Sequence, residues 1–119
     1  MTDSILTSVK KLLTGLTESD TSFDDDIIIH INSALSILNE LGMGEPGFRI
    51  EGKGETWEDF LGDLTHVDMV KSYVVLKVRL MFDPPSTATM VETYERRIQE
   101  LEWRINAAVD PLENSEFTK

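Results

Sequence analysis

Apolar residues recurring at alternating steps of three and four constrain this chain more than any other feature. Val91, Tyr94, Ile98, Leu101, Ile105 and Ala108 follow steps of 3, 4, 3, 4 and 3, which places them along one face of a helix. The run makes a heptad seam of about two and a half repeats. It predicts a helix from Ser86 or Thr87 to about Val109. Ile27, Ile31, Ala34, Leu35, Leu38 and Leu41 repeat the pattern in a helix that starts near Ser22 or Phe23. Asp24, Asp25 and Asp26 stand at its start, where carboxylates favour the unpaired N–H groups and the positive dipole end. A shorter helix, from about Asp3 to Thr14, carries Ile5, Val9, Leu12, Leu13 and Leu16 on its expected buried side.

Breaks in the pattern are as informative as the pattern. Gly42 is a natural helix stop. The stretch 42–55 holds five of the seven glycines and Pro46. Within it Phe48 and Ile50 alternate with Arg49 and Glu51, which predicts a short extended piece or a hairpin arm. Thr56-Trp57-Glu58-Asp59 reads as a capped start to a short helix reaching about Leu61. From Val67 to Phe82 apolar residues occupy more than one face, the mark of a central helix. Asp83-Pro84-Pro85 ends it, because proline lacks the N–H and restricts the residue before it. The expected fold is all-α: a small antiparallel helical bundle of about four to five helices with one Gly-rich loop or short β-hairpin excursion. One helical domain is expected over residues 1–110, with its excursion at 42–55 and a flexible C-terminal tail at 111–119.

Composition excludes several function classes. The chain has 119 residues, with 11 Lys plus Arg against 22 Asp plus Glu, a formal charge of −11. Simple adhesion to DNA phosphates or to anionic lipid needs a basic face, which such a chain is poorly supplied to build. No apolar stretch approaches the roughly 20 residues of a membrane span. Met1–Ser8 has Asp3 and no basic residue before its apolar positions, so no secretory signal is expected. Without cysteine there is no disulfide framework and no thiolate chemistry, which fits the cytoplasm.

Apparent motifs dissolve on inspection. Gly42-Met43-Gly44-Glu45-Pro46-Gly47 matches G-x-G-x-x-G, but a helix rather than a strand precedes it and Pro46 removes a donor. Gly47 with Gly52-Lys53 approaches a phosphate loop, yet Gly54 stands where a Ser or Thr would hold magnesium. A twelve-residue calcium loop counted from Asp20 would put Asp25 at the glycine position and Ile31 at the glutamate position. His30 and His66 have no second histidine at helical spacing, and no Gly-x-Ser-x-Gly elbow is present. No enzyme activity, cofactor or metal is expected.

Surface contact is the remaining chemistry. Trp57 and Phe60, at i and i+3, read either as a core anchor clamping the base of the loop or as a partner contact. Trp103 falls off the heptad seam. Arg97 and Arg104 lie seven apart on one side, beside a polar face of Glu92, Glu95, Gln99 and Glu102. Phe48, Arg49, Trp57, Arg97, Trp103, Arg104 and Phe117 are the candidate subunit and partner contacts.

Several segments together resemble a known family: Phe23–Asn32, Leu38–Gly42, Thr56–Phe60, Val70–Val74, Val78–Pro85 and Glu100–Arg104. In order and spacing they resemble the small head–tail connector, or head-completion, proteins of long-tailed bacteriophages and prophages of Gram-positive hosts. The resemblance covers about Ile5 to Ala108. It implies a helical, non-enzymatic virion protein at the head–tail junction, present in the host cytoplasm during assembly. Such proteins commonly form a twelve-subunit ring beneath the portal protein. The ring extends the DNA channel and docks a stopper or other tail-proximal protein, while DNA passes without specific binding. The resemblance also implies Phe82-Asp83-Pro84-Pro85 as a helix break and Trp103 as a packing residue. The competing expectation is a small acidic regulatory protein, such as a DNA mimic that fills a basic cleft.

Overall fold

The computed structural model describes residues 4–13 and 21–109. Among them are five helices: α1 (Ile5–Leu12), α2 (Asp24–Glu40), α3 (Trp57–Leu61), α4 (Val67–Phe82) and α5 (Ala88–Val109). The all-α expectation is met, and α4 packs against α1, α2 and α5.

Each helix end has a local chemical cause. Ser4 caps α1, its Oγ accepting from the Thr7 N–H at 3.2 Å. No side chain caps α2; its three leading aspartates act through the dipole. Asp24 also meets Lys10, whose Nζ lies 2.8 Å from Asp24 Oδ1. Lys10 is only 3% exposed, so this pair neutralises a charge that would be costly alone. The contact is a charge pair rather than an aligned hydrogen bond, since that oxygen has no hydrogen-bonding partner. At the other end of α2, Gly42 takes φ +95°. The Gly42 N–H donates to Asn39 O and the Met43 N–H to Leu38 O, both at 2.9 Å, a Schellman motif that uses glycine's freedom in the left-handed region.

The stretch 42–55 forms no hairpin. The one β-type pairing among the described residues is an isolated bridge between Ser4 and Thr56. The alternation at Phe48–Glu51 has another cause: the loop's backbone is satisfied by side chains of α2 instead of by a second strand. Asn32 donates from Nδ2 to Ile50 O at 3.0 Å and accepts the Ile50 N–H on Oδ1 at 2.8 Å. Asn39 Nδ2 donates to Met43 O and Glu45 O. The Glu45 N–H reaches Phe60 O at 2.8 Å. Pinned this way, Ile50 is 1% exposed.

The loop delivers the chain to α3, where Thr56 and Asp59 form a full capping box. Trp57 follows and is completely buried, its Nε1–H donating to Ser8 Oγ at 3.1 Å. That bond fills the polar requirement of a buried indole. Phe60 is also buried, with Phe48 tilted against it at 5.2 Å between ring centroids.

Helix α4 buries Val70, Tyr73, Val74 and Val78, and α5 buries Ile98, Leu101 and Ile105. Fully burying aliphatic side chains of this kind contributes roughly 1.5–3 kcal/mol each before chain entropy is subtracted. Tyr73, in the middle of α4, donates its hydroxyl to Glu102 Oε2 at 2.7 Å in the second half of α5. Arg79, further along α4, lies over the ring of Tyr94, earlier in α5. Phe23 at the start of α2 meets Phe82 at the end of α4, edge to face, at 5.5 Å. Burial, and then the neighbouring Glu102 carboxylate, push the Tyr73 phenol well above its ordinary range.

One helix face differs from the expected one. Leu12 is 58% exposed, while Leu6 and Leu13 are buried with Ile5 and Val9. Leu12 and Leu13 are neighbours on an eight-residue helix, and periodicity cannot rank them. The terminus of α1 turns so that Leu13 enters the core.

Two consequences are testable. Gly44 has φ +86° and its Cα faces the Phe60 ring, so an added Cβ would collide with the aromatic carbons. Gly44→Ala should therefore lower stability by more than about 1 kcal/mol, read as a fall in the chemical-denaturation midpoint. For Tyr73, the folded chain holds the phenol proton more tightly than the unfolded chain, whose phenol titrates near 10.0. That contribution is complete below pH 10 and declines as pH rises above it. Tyr73→Phe should cost about 1–2 kcal/mol at neutral pH. It should also flatten the extra loss of stability of the natural chain above pH 10, measured by denaturant titration across pH.

Candidate functional site

The proposed contact residues separate into buried and exposed sets. Trp57 lies in the core at zero exposure. This corrects its place among the partner contacts: its indole is committed to Ser8 and to the base of the loop. Phe48 is half-buried against the core. Arg49 is exposed and rims a shallow concavity with Ile29, Asn32, Ser33 and Ile37. Ile29, at 61% exposure, gives that surface an apolar centre.

The outer side of α5 holds the others. Trp103 is 73% exposed, the most open of the large apolar side chains described. It stands two residues after buried Leu101, about 200° around the helix at the α-helical repeat, so it points away from the core that Leu101 enters. Among the described residues it therefore does not pack into a second helix of its own chain. Arg97 and Arg104 are both exposed. Arg97 Nη1 donates to Glu100 Oε1 at 2.8 Å within the helix. A pair this open to water is worth under about 1 kcal/mol, so a partner carboxylate competes for it at little cost. Phe117 lies outside the described residues, as does the expected flexible tail.

A second surface was not legible in the sequence. Leu12, Val75, Leu76 and Tyr94 line a groove of about 660 Å³ between the end of α1, α4 and α5, with Lys71, Arg97 and Asp68 at its rim. The exposure of Leu12 creates it, and the near-tie between Leu12 and Leu13 hid it.

The candidate chemistry of the histidines does not converge. His30 lies against Phe82, at the end of α4, with ring centroids 6.5 Å apart. His66 directly precedes α4, whose sixteen residues span about 24 Å at ~1.5 Å per residue. Among the described residues no group of three acidic, histidine or cysteine side chains is placed to hold a metal ion. Many carboxylates have local structural partners: Asp24 with Lys10, Asp59 in the capping box, and Glu102 with Tyr73. Glu55 likewise accepts the Glu51 N–H. No described helix is long and apolar enough to cross a membrane.

Compared with known proteins, residues 5–111 match the sequence model of one family, described as phage connector protein. No curated protein and no solved structure matches the chain.

The two tryptophans should behave as opposites in solution. Acrylamide quenching of fluorescence should persist in Trp57→Phe and fall sharply in Trp103→Phe. The Trp103 change should leave stability within about 0.5 kcal/mol, whereas Trp57→Ala should cost about 3–5 kcal/mol.

Proposed function

Because the chain belongs to the phage connector protein family, we propose that it acts as a ring-forming structural piece of a virion, seated under the portal protein at the head–tail junction. In this reading the ring, of about twelve copies by its likeness to head–tail connectors, extends the DNA channel and docks the next tail-proximal protein. A structural family also supports a non-enzymatic role.

The observation that carries the reading is Trp103, a large indole 73% exposed on a helix whose own core is already filled by Ile98, Leu101 and Ile105. Exposed tryptophan and arginine are the residue types that dominate interface energetics. Trp103, Arg97 and Arg104 on α5 form one side of the subunit contact in this proposal. Acidic residues such as Glu92, Glu95 or Asp59 of the neighbouring copy form the other. The packed helices suit the task, since Tyr73 of α4 is tied to Glu102 of α5 and Phe82 at the end of α4 meets Phe23 at the start of α2. Rigid, side-by-side helices present distinct faces, and a ring needs heterologous contacts that close by rotation. The charge of −11 has a use here too: carboxylates on the channel wall offer no cationic grip to passing phosphates.

The DNA-mimic reading gains nothing from the structure. A mimic needs carboxylates spaced along a face like phosphates, and here Asp24, Asp59 and Glu102 are each engaged in a local contact.

Electron microscopy with the portal protein tests the proposal. Rings stacked on the portal are expected for the natural chain. Arg97→Glu with Arg104→Glu, and separately Trp103→Ser, should leave the fold intact by circular dichroism and reduce ring occupancy at least tenfold. Monodisperse particles that never bind a portal, or full assembly by both variants, would remove the case for this role and surface.

A further inference from the structure

The groove beside Leu12 is out of character for this protein. The chain carries twice as many acidic as basic residues, yet two of the three charged side chains that line the groove are cationic, Lys71 and Arg97, with Asp68 the third. A smaller hollow continues it past Leu12 and Lys71 to Lys11. The floor is apolar: Leu12, Val75, Leu76 and Tyr94. An occupant matched to this surface carries an apolar anchor flanked by carboxylates.

Residues 110–119 have that composition. They read Asp-Pro-Leu-Glu-Asn-Ser-Glu-Phe-Thr-Lys, with Asp110, Glu113 and Glu116 around Leu112 and Phe117. They follow directly from α5, whose last turn lies against the end of α2: Asn106 Nδ2 donates to Leu41 O at 3.5 Å. Pro111 cannot continue a helix. Arg97 lies twelve residues before Val109, about 18 Å back along the axis at ~1.5 Å per residue. Phe117 lies eight residues beyond Val109, a reach of up to ~26 Å for extended chain. Phe117 can therefore return to the groove, and Leu112 cannot. The route back along α5 passes Arg104 before Arg97, the order in which Glu113 and Glu116 arrive. Glu100 does not exhaust Arg97, because a guanidinium has five N–H donors.

We propose that residues 110–119 fold back along their own α5 and seat Phe117 in the groove between α1, α4 and α5, with Glu113 and Glu116 against Arg104 and Arg97. The segment covers an apolar surface that is otherwise open to water. It also occupies the two arginines that the ring contact would use, so the groove and the ring compete for the same side chains. The docking itself stands without ring formation, being a property of one chain.

The absence of cysteine makes the test direct. Ser115→Cys in the full chain accepts a single nitroxide label. In a chain with isotope-labelled methyl groups, the nitroxide should reduce the Leu12, Val75 and Leu76 signals by more than half relative to its reduced form, independent of protein concentration. Phe117→Asp should restore those signals at least twofold, as should Arg97→Glu with Arg104→Glu. Unchanged Ile31 and Leu35 methyl positions in both variants establish that the core is intact. A second sample mixes nitroxide-bearing chains without isotope and isotope-bearing chains without nitroxide, and no loss of signal is expected there. Intact groove signals in the singly labelled chain would overturn the proposal. So would equal loss in the mixed sample, which assigns the groove to another copy.

Discussion

The carboxamide of Asn32 ties the middle of α2 to the loop that leads into α3. Between α2 and α3 the backbone runs for some fifteen residues without a helix or a paired strand, and buried peptide groups in such a stretch require partners. Asn32 supplies a donor and an acceptor to the same residue, Ile50, as a neighbouring strand would. With Ile50 drawn into the core, the chain is aimed so that Thr56 can cap α3 and Trp57 can enter beneath α1. The alternatives do not compete. Leaving both Ile50 groups unsatisfied costs about 1–3 kcal/mol for each, comparable to what burying the isoleucine returns. The loop and the amide work together, and the approach of the chain to α3 depends on them.

Legibility in the sequence followed the type of signal. Val67–Phe82 was readable to the residue, because a proline pair bounds one end and the apolar spacing is continuous. Gly42 and the Thr56–Asp59 pair were readable because each motif is local and has a single chemical purpose. Asn32 was not, since an asparagine inside a helical pattern carries no mark of what it faces eighteen residues later. Alternation at Phe48–Glu51 mimicked a strand because one buried isoleucine between exposed charges gives the same period. Trp57 had two readings, core anchor and partner contact, and its burial with the bond to Ser8 decides for the anchor. Lys10 shows the reverse failure: a lysine reads as exposed, yet the first turn of α2 brings Asp24 close enough to permit its burial.

The exposed residues of α5 follow from the same economy. An α5 of twenty-two residues needs only Ile98, Leu101 and Ile105 fully buried to be held against α4, and Tyr73 adds a directional tie through Glu102. The side that carries Arg97, Trp103 and Arg104 is left exposed. On that free side a solvated lysine or glutamate would be neutral for stability, so folding does not account for the indole at Trp103. Arg97 and Arg104 are equally unneeded by the core. What the fold leaves unconstrained, a function can fill, and a connector must touch other chains to act.

Charge then constrains how such contacts are made. Copies of a chain at −11 repel one another unless each contact pairs a basic patch with an acidic one. Bases are the scarcer resource, so their distribution limits the number of faces that can attract a like copy. Lys10 is withdrawn into the interior by Asp24, and Lys77 and Arg79 lie over tyrosine rings of the α4–α5 layer. The flank of α5 with Arg97 and Arg104, continued by Lys71 and Lys11 around the groove, is where cationic groups collect beside open apolar surface. An acidic chain with one such region has a built-in polarity: its basic flank fits the acidic remainder of another copy better than it fits itself. In the proposed assembly, contacts of that kind would run head to tail, the heterologous geometry that gives a ring where the rotation closes.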